Sequence, residues 1–309
     1  MLNKLLEGFG SSNKKRLLQK VLHSISLIRG TNSILCLYGS PTEGNWLGIA
    51  NATKGLFPKN AVEVPQWFSN TKFSQGEVKT LCKGIAELNF EKIIISGFAN
   101  YFFDWIDLLS AHTSTEIIFH GTISEFHDPA KQEFIGKMIQ YGKSGKIKRF
   151  GFVKEQLDNV FRELYGFDCY HQPLAPPVIS SNPEKLKLDP KKIHVGVFGG
   201  DTFNKNLHNQ VIHTLMMKDT IVHVLDSSLF SYLDMGERII GHGKNLSKEK
   251  FLSLLSSMDI NLYMSYSESW GLVYFESEAL GVPCLRLEAV DYHNEIKTFI
   301  DQVDKKFAN

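Results

Sequence analysis

The sequence lacks the short patterns that mark several common kinds of protein. Its four cysteines form no CxxC pair, and neither an HExxH motif nor paired Cys or His spacings indicate a bound metal. It also has no GxSxG motif, no Walker loop and no GxGxxG fingerprint. We therefore expect no disulfide framework, no resident metal or other cofactor, and no nicotinamide-dependent chemistry.

Strong charge and long apolar runs are absent as well. The net charge of +1 over 309 residues gives no electrostatic reason to expect a nucleic-acid partner. No apolar run approaches the roughly 18 residues that a transmembrane helix needs. With 43% hydrophobic and 22% charged residues, the composition is that of a globular protein long enough for two domains. We interpret the separated cysteines as reduced core thiols in a cytoplasmic protein: Cys36, Cys82, Cys169 and Cys284.

The first 29 residues are basic, with Glu7 as their one acidic residue. Their apolar residues recur at helical spacing: Leu17, Leu18, Val21, Leu22, Ile25 and Ile28. Such a helix packs on its own domain with a solvated basic face, which is the interpretation we favour. The alternative is peripheral contact with the inner face of a membrane through residues 1–29. The segment does not have the pattern of a signal peptide.

Strand and helix patterns alternate through the rest of the chain, which predicts an α/β fold with parallel sheets covered on both faces. The expected strands are Ser33–Tyr38, Lys92–Ser96, Glu116–Phe119 and Ile147–Val153, then those near 193–198, 220–225, 238–241, 259–264 and 283–287. The expected helices of the first half are 45–56, 74–89, 129–141 and 154–165.

Prolines concentrate between the two halves of this alternation, from Pro173 to Pro183 and again at Pro190. Such a cluster is typical of a linker. The sequence thus predicts an N-terminal helix over 1–32, a first Rossmann-like domain over 33–174, a linker over 175–190 and a second Rossmann-like domain over 191–309.

The most informative stretch reads ESWGLVYFESEALGVP, residues 268–283. It predicts a loop after a strand, a sharp turn at Gly271, a helix over 273–280 and a helix end at Gly281. Glu268 then lies just outside the carboxyl end of a strand, where open α/β sheets bind ligands. The amides of Gly271, Leu272 and Val273 lie at a helix N-terminus and suit an anion. Carboxylates that accept hydroxyls, next to an anion site, suit a sugar joined to a phosphate.

This stretch resembles the E-x-F-G-x4-E signature of family-four, glycogen-synthase-like glycosyltransferases, which are retaining enzymes of the GT-B fold. Glu268 and Glu276 match its two acidic positions, and Trp270 stands where Phe is usual. Ser277 and Glu278 replace the common Ala-Met, whereas Ala279, Gly281 and Pro283 keep the register. The resemblance implies that Glu268 contacts the hydroxyls of the donor sugar, that Glu276 holds the ribose, and that two Rossmann-like domains flank a cleft.

Other positions enter through the same resemblance. Lys205 matches the lysine that binds the phosphates, while the arginine usual about five residues earlier is replaced by Gly200. Lys244 and Arg238 are candidate substitutes. His120 resembles a first-domain histidine that faces the donor sugar. Gly44 resembles part of a glycine-rich loop of that family. The loop with Gly243 and Lys244 resembles the one that lines the base pocket.

The resemblance therefore implies a retaining, metal-independent enzyme that transfers a hexosyl group from a UDP- or GDP-sugar to a glycan or glycolipid, as in cell-surface polysaccharide biosynthesis. The absence of a D-x-D motif agrees, because a metal-held diphosphate would need one. Two alternatives stay open. One is a non-catalytic GT-B partner subunit, which the loss of the arginine at Gly200 favours. The other is a sugar-nucleotide epimerase, which would convert a donor without any acceptor.

Overall fold

The structure is a computed structural model and describes most of the chain. The described residues are 12–41, 47–65, 73–122, 126, 128–175, 177, 179, 182–244, 246–286 and 300. The chain divides into two compact units, Met1–Pro177 and Val178–Asn309.

The first unit is a parallel sheet with helices. Its helices are α1 (Ser12–Arg29), α2 (Leu47–Leu56), α3 (Gln75–Glu87), α4 (Phe103–Leu109), α5 (Pro129–Lys143) and α6 (Leu157–Tyr165). Its strands are β1 (Ile34–Gly39), β2 (Ala61–Val64), β3 (Lys92–Ser96), β4 (Ser114–Phe119), β5 (Arg149–Phe152) and β6 (Cys169–His171). The strands lie in the order β2-β1-β3-β4-β5-β6, and every neighbouring pair is parallel.

Continuous apolar runs form the middle strands of this sheet, because a parallel strand is covered on both faces. In β1 and β3 all residues but the first are buried. The alternation that the sequence predicts is confirmed here, although the strands β2 and β6 and the helix α4 were missed. Both missed strands lie at the edges of the sheet.

The helix α1 packs against its own unit. Its residues Leu18, Val21, Leu22 and Ile25 are buried in the core of the first unit. For residues 12–29, the structure therefore agrees with the interpretation that this helix packs on its own domain. Because these apolar residues are buried, any contact of this helix with another surface would depend on its basic residues.

All four cysteines are free, and three of them are buried. Burial raises the pKa of Cys82 and of Cys169 to about 12. These thiols are core side chains, as the sequence predicts. Among the residues that the structure describes, no helix is both long enough and apolar enough to cross a membrane.

The second unit is built in the same way. Its strands are β7 (Ile193–Val197), β8 (Thr220–Val224), β9 (Ile239–Gly241), β10 (Ile260–Tyr263) and β11 (Cys284–Arg286), and its helices are α7 (Leu207–Leu215), α8 (Lys248–Ser256) and α9 (Leu272–Ala279). Short 3-10 turns cover Phe203–Lys205 and Ser227–Leu233. The strand order is β11-β10-β7-β8-β9, and all the pairs are parallel.

Three histidines form a hydrogen-bonded chain across this second sheet. Nδ1 of His194 lies 2.9 Å from Nε2 of His223, whose Nδ1 lies 2.8 Å from Nε2 of His242. At the far end, Nε2 of His194 lies 2.9 Å from the carbonyl oxygen of Asp189. Because the register pairs His194 with Ile221 and His223 with Ile240, each step moves two residues along and one strand across. The chain thus runs diagonally, on one face, towards the carboxyl ends of the strands.

The Asp189 carbonyl sets the direction of every hydrogen bond in this chain. A carbonyl only accepts, so Nε2 of His194 donates to it, and in a neutral ring the other nitrogen accepts. His223 therefore donates from Nε2 and accepts at Nδ1 from His242. This arrangement needs a neutral His223 ring, and burial, followed by the neighbouring rings of His242 and His194, lowers the pKa of His223 to about 4.

We expect acid to destabilise the protein through His223. Its pKa rises from about 4 in the folded protein to about 6.5 when unfolded, so the unfolded chain binds more protons between these values. The stability that the neutral ring contributes is present above pH 6.5 and is lost as pH falls through this window. Urea unfolding at pH 7 and pH 5 should show a loss of about 2 kcal/mol from this group alone.

The control is His223→Gln, which keeps a side chain that can donate and accept but does not titrate. Its loss of stability between pH 7 and pH 5 should be smaller than that of the unmodified protein by about the same 2 kcal/mol. An equal loss in both proteins would contradict a neutral, buried His223.

Candidate functional site

The second sheet reverses its strand order at the pair β7–β10. From β7 the chain goes to β8 on one side and later reaches β10 on the other. The loops that leave the carboxyl ends of β7 and β10 therefore separate to opposite faces, and open α/β sheets bind ligands at such a point. These loops are residues 198–206 and 264–271, and they carry four of the site residues that the sequence predicts: Lys205, Glu268, Trp270 and Gly271.

Hydrogen bonds tie the two loops together. The side chain of Asn206 donates to the carbonyl of Met264 at 3.0 Å. The side chain of Asn204 donates to the carbonyl of Ser267 at 3.2 Å, and the backbone carbonyl of Asn204 accepts from the amide of Tyr266 at 2.8 Å. The backbone that carries Lys205 is thereby held against the backbone that carries the segment 265–268.

Lys205 and Glu268, which the sequence places in different loops, form an ion pair in the structure. Their Nζ and Oε1 atoms are 2.5 Å apart, and both side chains are about one-fifth exposed. The same ammonium lies 3.2 Å from the hydroxyl of Tyr263, the last residue of β10. Burial and then the carboxylate of Glu268 raise the pKa of Tyr263 well above its usual value, so its hydroxyl stays protonated.

Gly271 turns the loop into α9. Its φ of 77° is in the left-handed region, and a Cβ at this position would lie 3.3 Å from the Tyr263 ring. Glycine meets both constraints because it has no Cβ. The helix starts at Leu272, so the amides of Gly271, Leu272 and Val273 head a helix where no intrahelical acceptor is available. The helix N-terminus lies where the sequence predicts it, and the binding of an anion to these amides stays a prediction.

Glu276 lies on the buried side of α9, and its carboxylate forms an ion pair with Lys248 at the start of α8. The helix is anchored beside this residue. The side chain of Asn261 on β10 donates to the hydroxyl of Ser277 at 3.1 Å, and that hydroxyl donates to the carbonyl of Val273 at 2.7 Å. Glu276 is only 3% exposed, so its negative charge needs the neighbouring lysine.

Two polar groups in the loop after β10 are buried without a hydrogen-bond partner among the described residues: Oγ of Ser265 and Nε1 of Trp270. The indole of Trp270 stacks on Phe275 with 4.8 Å between ring centroids. Buried donors without partners cost about 1–3 kcal/mol each and are rare in folded proteins. The two groups flank Glu268 in the sequence, so this loop has hydrogen-bonding capacity that the protein itself does not use.

The loop after β9 continues the pairing of its strand. The amides of His242 and Gly243 donate to the carbonyls of Val224 and Leu225 at 3.0 and 2.8 Å. Gly243 has a φ of 94°, and the side chain of His242 ends the histidine chain described above. The loop therefore leaves β9 at the same carboxyl edge as the loops after β7 and β10.

The structure separates the two candidate substitutes for the missing arginine. Arg238 donates to the carbonyls of Met217 and Thr220 at 2.7 and 3.2 Å, at the amino end of β8 and thus at the edge opposite the loops just described. Lys244 lies at the carboxyl edge, where it pairs with Asp226 at 2.7 Å. At Gly200 itself, a Cβ would meet nothing within 4 Å.

His120 belongs to the first unit, where it follows β4. Its Nε2 lies 3.0 Å from the hydroxyl of Ser96 at the end of β3, and that hydroxyl lies 2.6 Å from the hydroxyl of Thr53 on α2. Burial lowers the pKa of His120 to about 4, so the ring is neutral near pH 7. Gly44, the remaining predicted position, lies outside the described residues.

Four contributors were missed by the sequence analysis. Lys248 is paired with Glu276 although 28 residues separate them, and no local pattern links the two. Ser96 and Thr53, which hold His120, also come from separate elements. Tyr263 was recognised only as a strand residue, although its place five residues before Glu268, at the end of a predicted strand, was a usable signal.

Comparisons with known proteins agree on the fold. No protein-family model matches the sequence, and no curated protein is significantly similar to it. Among solved structures, the sucrose-phosphate synthase of Thermosynechococcus elongatus is 10% identical over 84% of this chain and 82% of its own, with a TM-score of 0.57. HepE of Anabaena, solved with UDP and glucose, is 12% identical over 84% and 81%, also with a TM-score of 0.57.

WaaG, a glycosyltransferase involved in lipopolysaccharide biosynthesis, is 12% identical over 86% of this chain and 83% of its own, with a TM-score of 0.50. At such low identity these likenesses speak for the fold alone. The predicted α/β fold with parallel sheets is confirmed, and the chain shares the GT-B fold of these glycosyltransferases.

Proposed function

We propose that the protein is a retaining, metal-independent glycosyltransferase that moves a hexosyl group from a UDP- or GDP-sugar to a glycan or glycolipid. The observation that carries this proposal is the ion pair between Lys205 and Glu268 at the point where the second sheet reverses its strand order. A cation for phosphate and a carboxylate for sugar hydroxyls thereby lie together where such sheets bind ligands.

The nucleotide-sugar would occupy the loops after β7, β9 and β10. Lys205 and the amides of Leu272 and Val273 hold the diphosphate, and Glu268 accepts hydrogen bonds from the sugar. Glu276 takes the ribose hydroxyls, and the loop with Gly243 and Lys244 receives the base. The UDP and glucose bound to the fold neighbour HepE support a ligand of this class.

Transfer in this proposal depends on electrostatic stabilisation. The bond between the sugar C1 and the diphosphate oxygen breaks, and the cations and helix amides stabilise the negative charge that develops on the leaving group. The acceptor hydroxyl attacks C1 on the same face, so the configuration is retained, and its proton passes to the departing phosphate. His120, neutral at pH 7, contributes a hydrogen bond rather than a charge.

One observation favours a second function, that of a non-catalytic partner subunit with the same fold. Gly200 supplies no cation where the resembling family has an arginine. A subunit that has lost the transfer activity would bind a partner protein. Neither Glu268 nor Glu276 would then have to be free to bind a sugar. The proposals differ in whether the chain binds a nucleoside diphosphate.

The first test is calorimetry with UDP, GDP, ADP and their common sugars. We expect saturable binding of one nucleotide by the unmodified protein and its loss in Glu276→Ala, because the ribose loses its acceptor. The control is Glu278→Ala on the same helix, whose exposed carboxylate is hydrogen-bonded by Tyr274 and should not be needed. Failure of a folded protein to bind any nucleotide would remove the enzyme proposal and favour the partner subunit.

A second test concerns His120. We expect His120→Ala to slow the release of nucleoside diphosphate from the bound sugar donor by roughly 10²-fold, the low end for a positioned acid–base or hydrogen-bonding group, while nucleotide affinity stays the same. Because its pKa is about 4, activity should show no titration of this residue between pH 5 and 8. Unchanged release in the variant would exclude His120 from the chemistry.

A further inference from the structure

In the structure each of the two predicted carboxylates forms an ion pair with a lysine. Glu268 pairs with Lys205, and Glu276 pairs with Lys248. The hydroxyl of Tyr263 accepts a hydrogen bond from Lys205, and its pKa is raised by burial, then by the carboxylate of Glu268 and, least, by that of Glu276.

Lys248 is an unusual residue for its position. It is the first residue of α8, and the positive end of a helix dipole disfavours a cation in the first turn. Its side chain is nearly half exposed, whereas the Glu276 side chain is 4% exposed. Lys248 thus lies between the buried carboxylate of Glu276 and solvent, at a helix position where the dipole is unfavourable for a cation. The pairing with Glu276 accounts for a lysine at this position, and the exposure of its side chain leaves room for a ligand to approach it.

We propose that Lys248 is the second cation for the diphosphate, and that ligand binding exchanges the partners of both ion pairs. Ribose and sugar hydroxyls take the carboxylates of Glu276 and Glu268, and the released ammonium groups of Lys248 and Lys205 take the phosphates. This proposal rests on the proposed function and adds a residue to it. It also accounts for Gly200: the site holds two lysines, so it does not depend on a cation at that position.

Partner exchange makes the site selective for ligands that carry both kinds of group. A nucleoside offers hydroxyls but leaves the ammonium of Lys248 without an anion. Pyrophosphate offers the anion but leaves the carboxylate of Glu276 unpaired, which is costly because this carboxylate is buried. Each half of the ligand should therefore bind poorly, and a nucleoside diphosphate should bind more tightly than the two halves together would suggest.

The first experiment uses inorganic pyrophosphate and Glu276→Gln, measured by calorimetry on the full chain. The neutral amide releases Lys248, so we expect the variant to bind pyrophosphate about tenfold more tightly than the unmodified protein, and the nucleoside diphosphate about tenfold more weakly. Opposite changes for the two ligands are a result that simple damage to the site does not produce. No gain in pyrophosphate affinity would overturn the exchange.

The second experiment uses Lys248→Met, with Lys250→Met on the same helix as its control. We expect about tenfold weaker binding of the nucleoside diphosphate in the first variant and no change in the second. If Lys248→Met alone does not fold because Glu276 is left unpaired, Lys248→Met with Glu276→Gln replaces it. That double variant should lose the gain in pyrophosphate affinity that Glu276→Gln shows.

A further variant adds Gly200→Arg to the Lys248 substitution. The position has space for a side chain, and its φ is not in the left-handed region. We expect the new arginine to restore at least part of the lost affinity. Full nucleotide affinity in Lys248→Met would overturn this inference and leave the proposed function standing. Absence of any nucleotide binding by the unmodified protein would overturn both.

Discussion

The parallel pairing of β7 with β10 is the constraint on which the candidate site depends. It places the carboxyl ends of two strands, far apart in the sequence, side by side. Lys205 and Glu268 can meet only because of this pairing, since 63 residues separate them. The hydrogen bonds of Asn204 and Asn206 to the opposite loop then hold the two side chains at a fixed distance. The site is thus a consequence of strand order, and its side chains come from a framework that the core of the second unit stabilises.

Much of this framework could be predicted from the sequence, because its signals are local. Buried parallel strands are continuous apolar runs, and particular residue types mark the ends of helices. Ser247 caps α8 through its hydroxyl, and Gly281 has the positive φ expected beyond the end of α9. The segment 268–283 combines several such signals within one strand–turn–helix unit. The order of the elements and the position of Glu268 follow from patterns within a few residues of each other.

What could not be predicted depends on contacts between distant residues. The strands β2 and β6 were missed because each is short and lies at a sheet edge, where burial no longer enforces a long apolar run. The ion pair between Lys248 and Glu276 joins two helices, and neither residue stands out by itself. Two histidines of the diagonal chain lie on separate strands and the third directly follows another strand, and only the strand order and register bring them together. Sequence patterns describe an element, whereas these interactions belong to the packing between elements.

Several groups around the candidate site lower the stability of the fold. Ser265 and Trp270 bury polar groups without partners among the described residues, at about 1–3 kcal/mol each. Lys248 stands at the unfavourable end of a helix, and Glu276 keeps its charge in a buried position only through that lysine. A fold selected for stability alone would replace such groups with apolar side chains, which are often neutral or stabilising in place of a buried ion pair. Their concentration around Glu268 and Glu276 supports the proposal that this edge of the sheet receives a polar ligand.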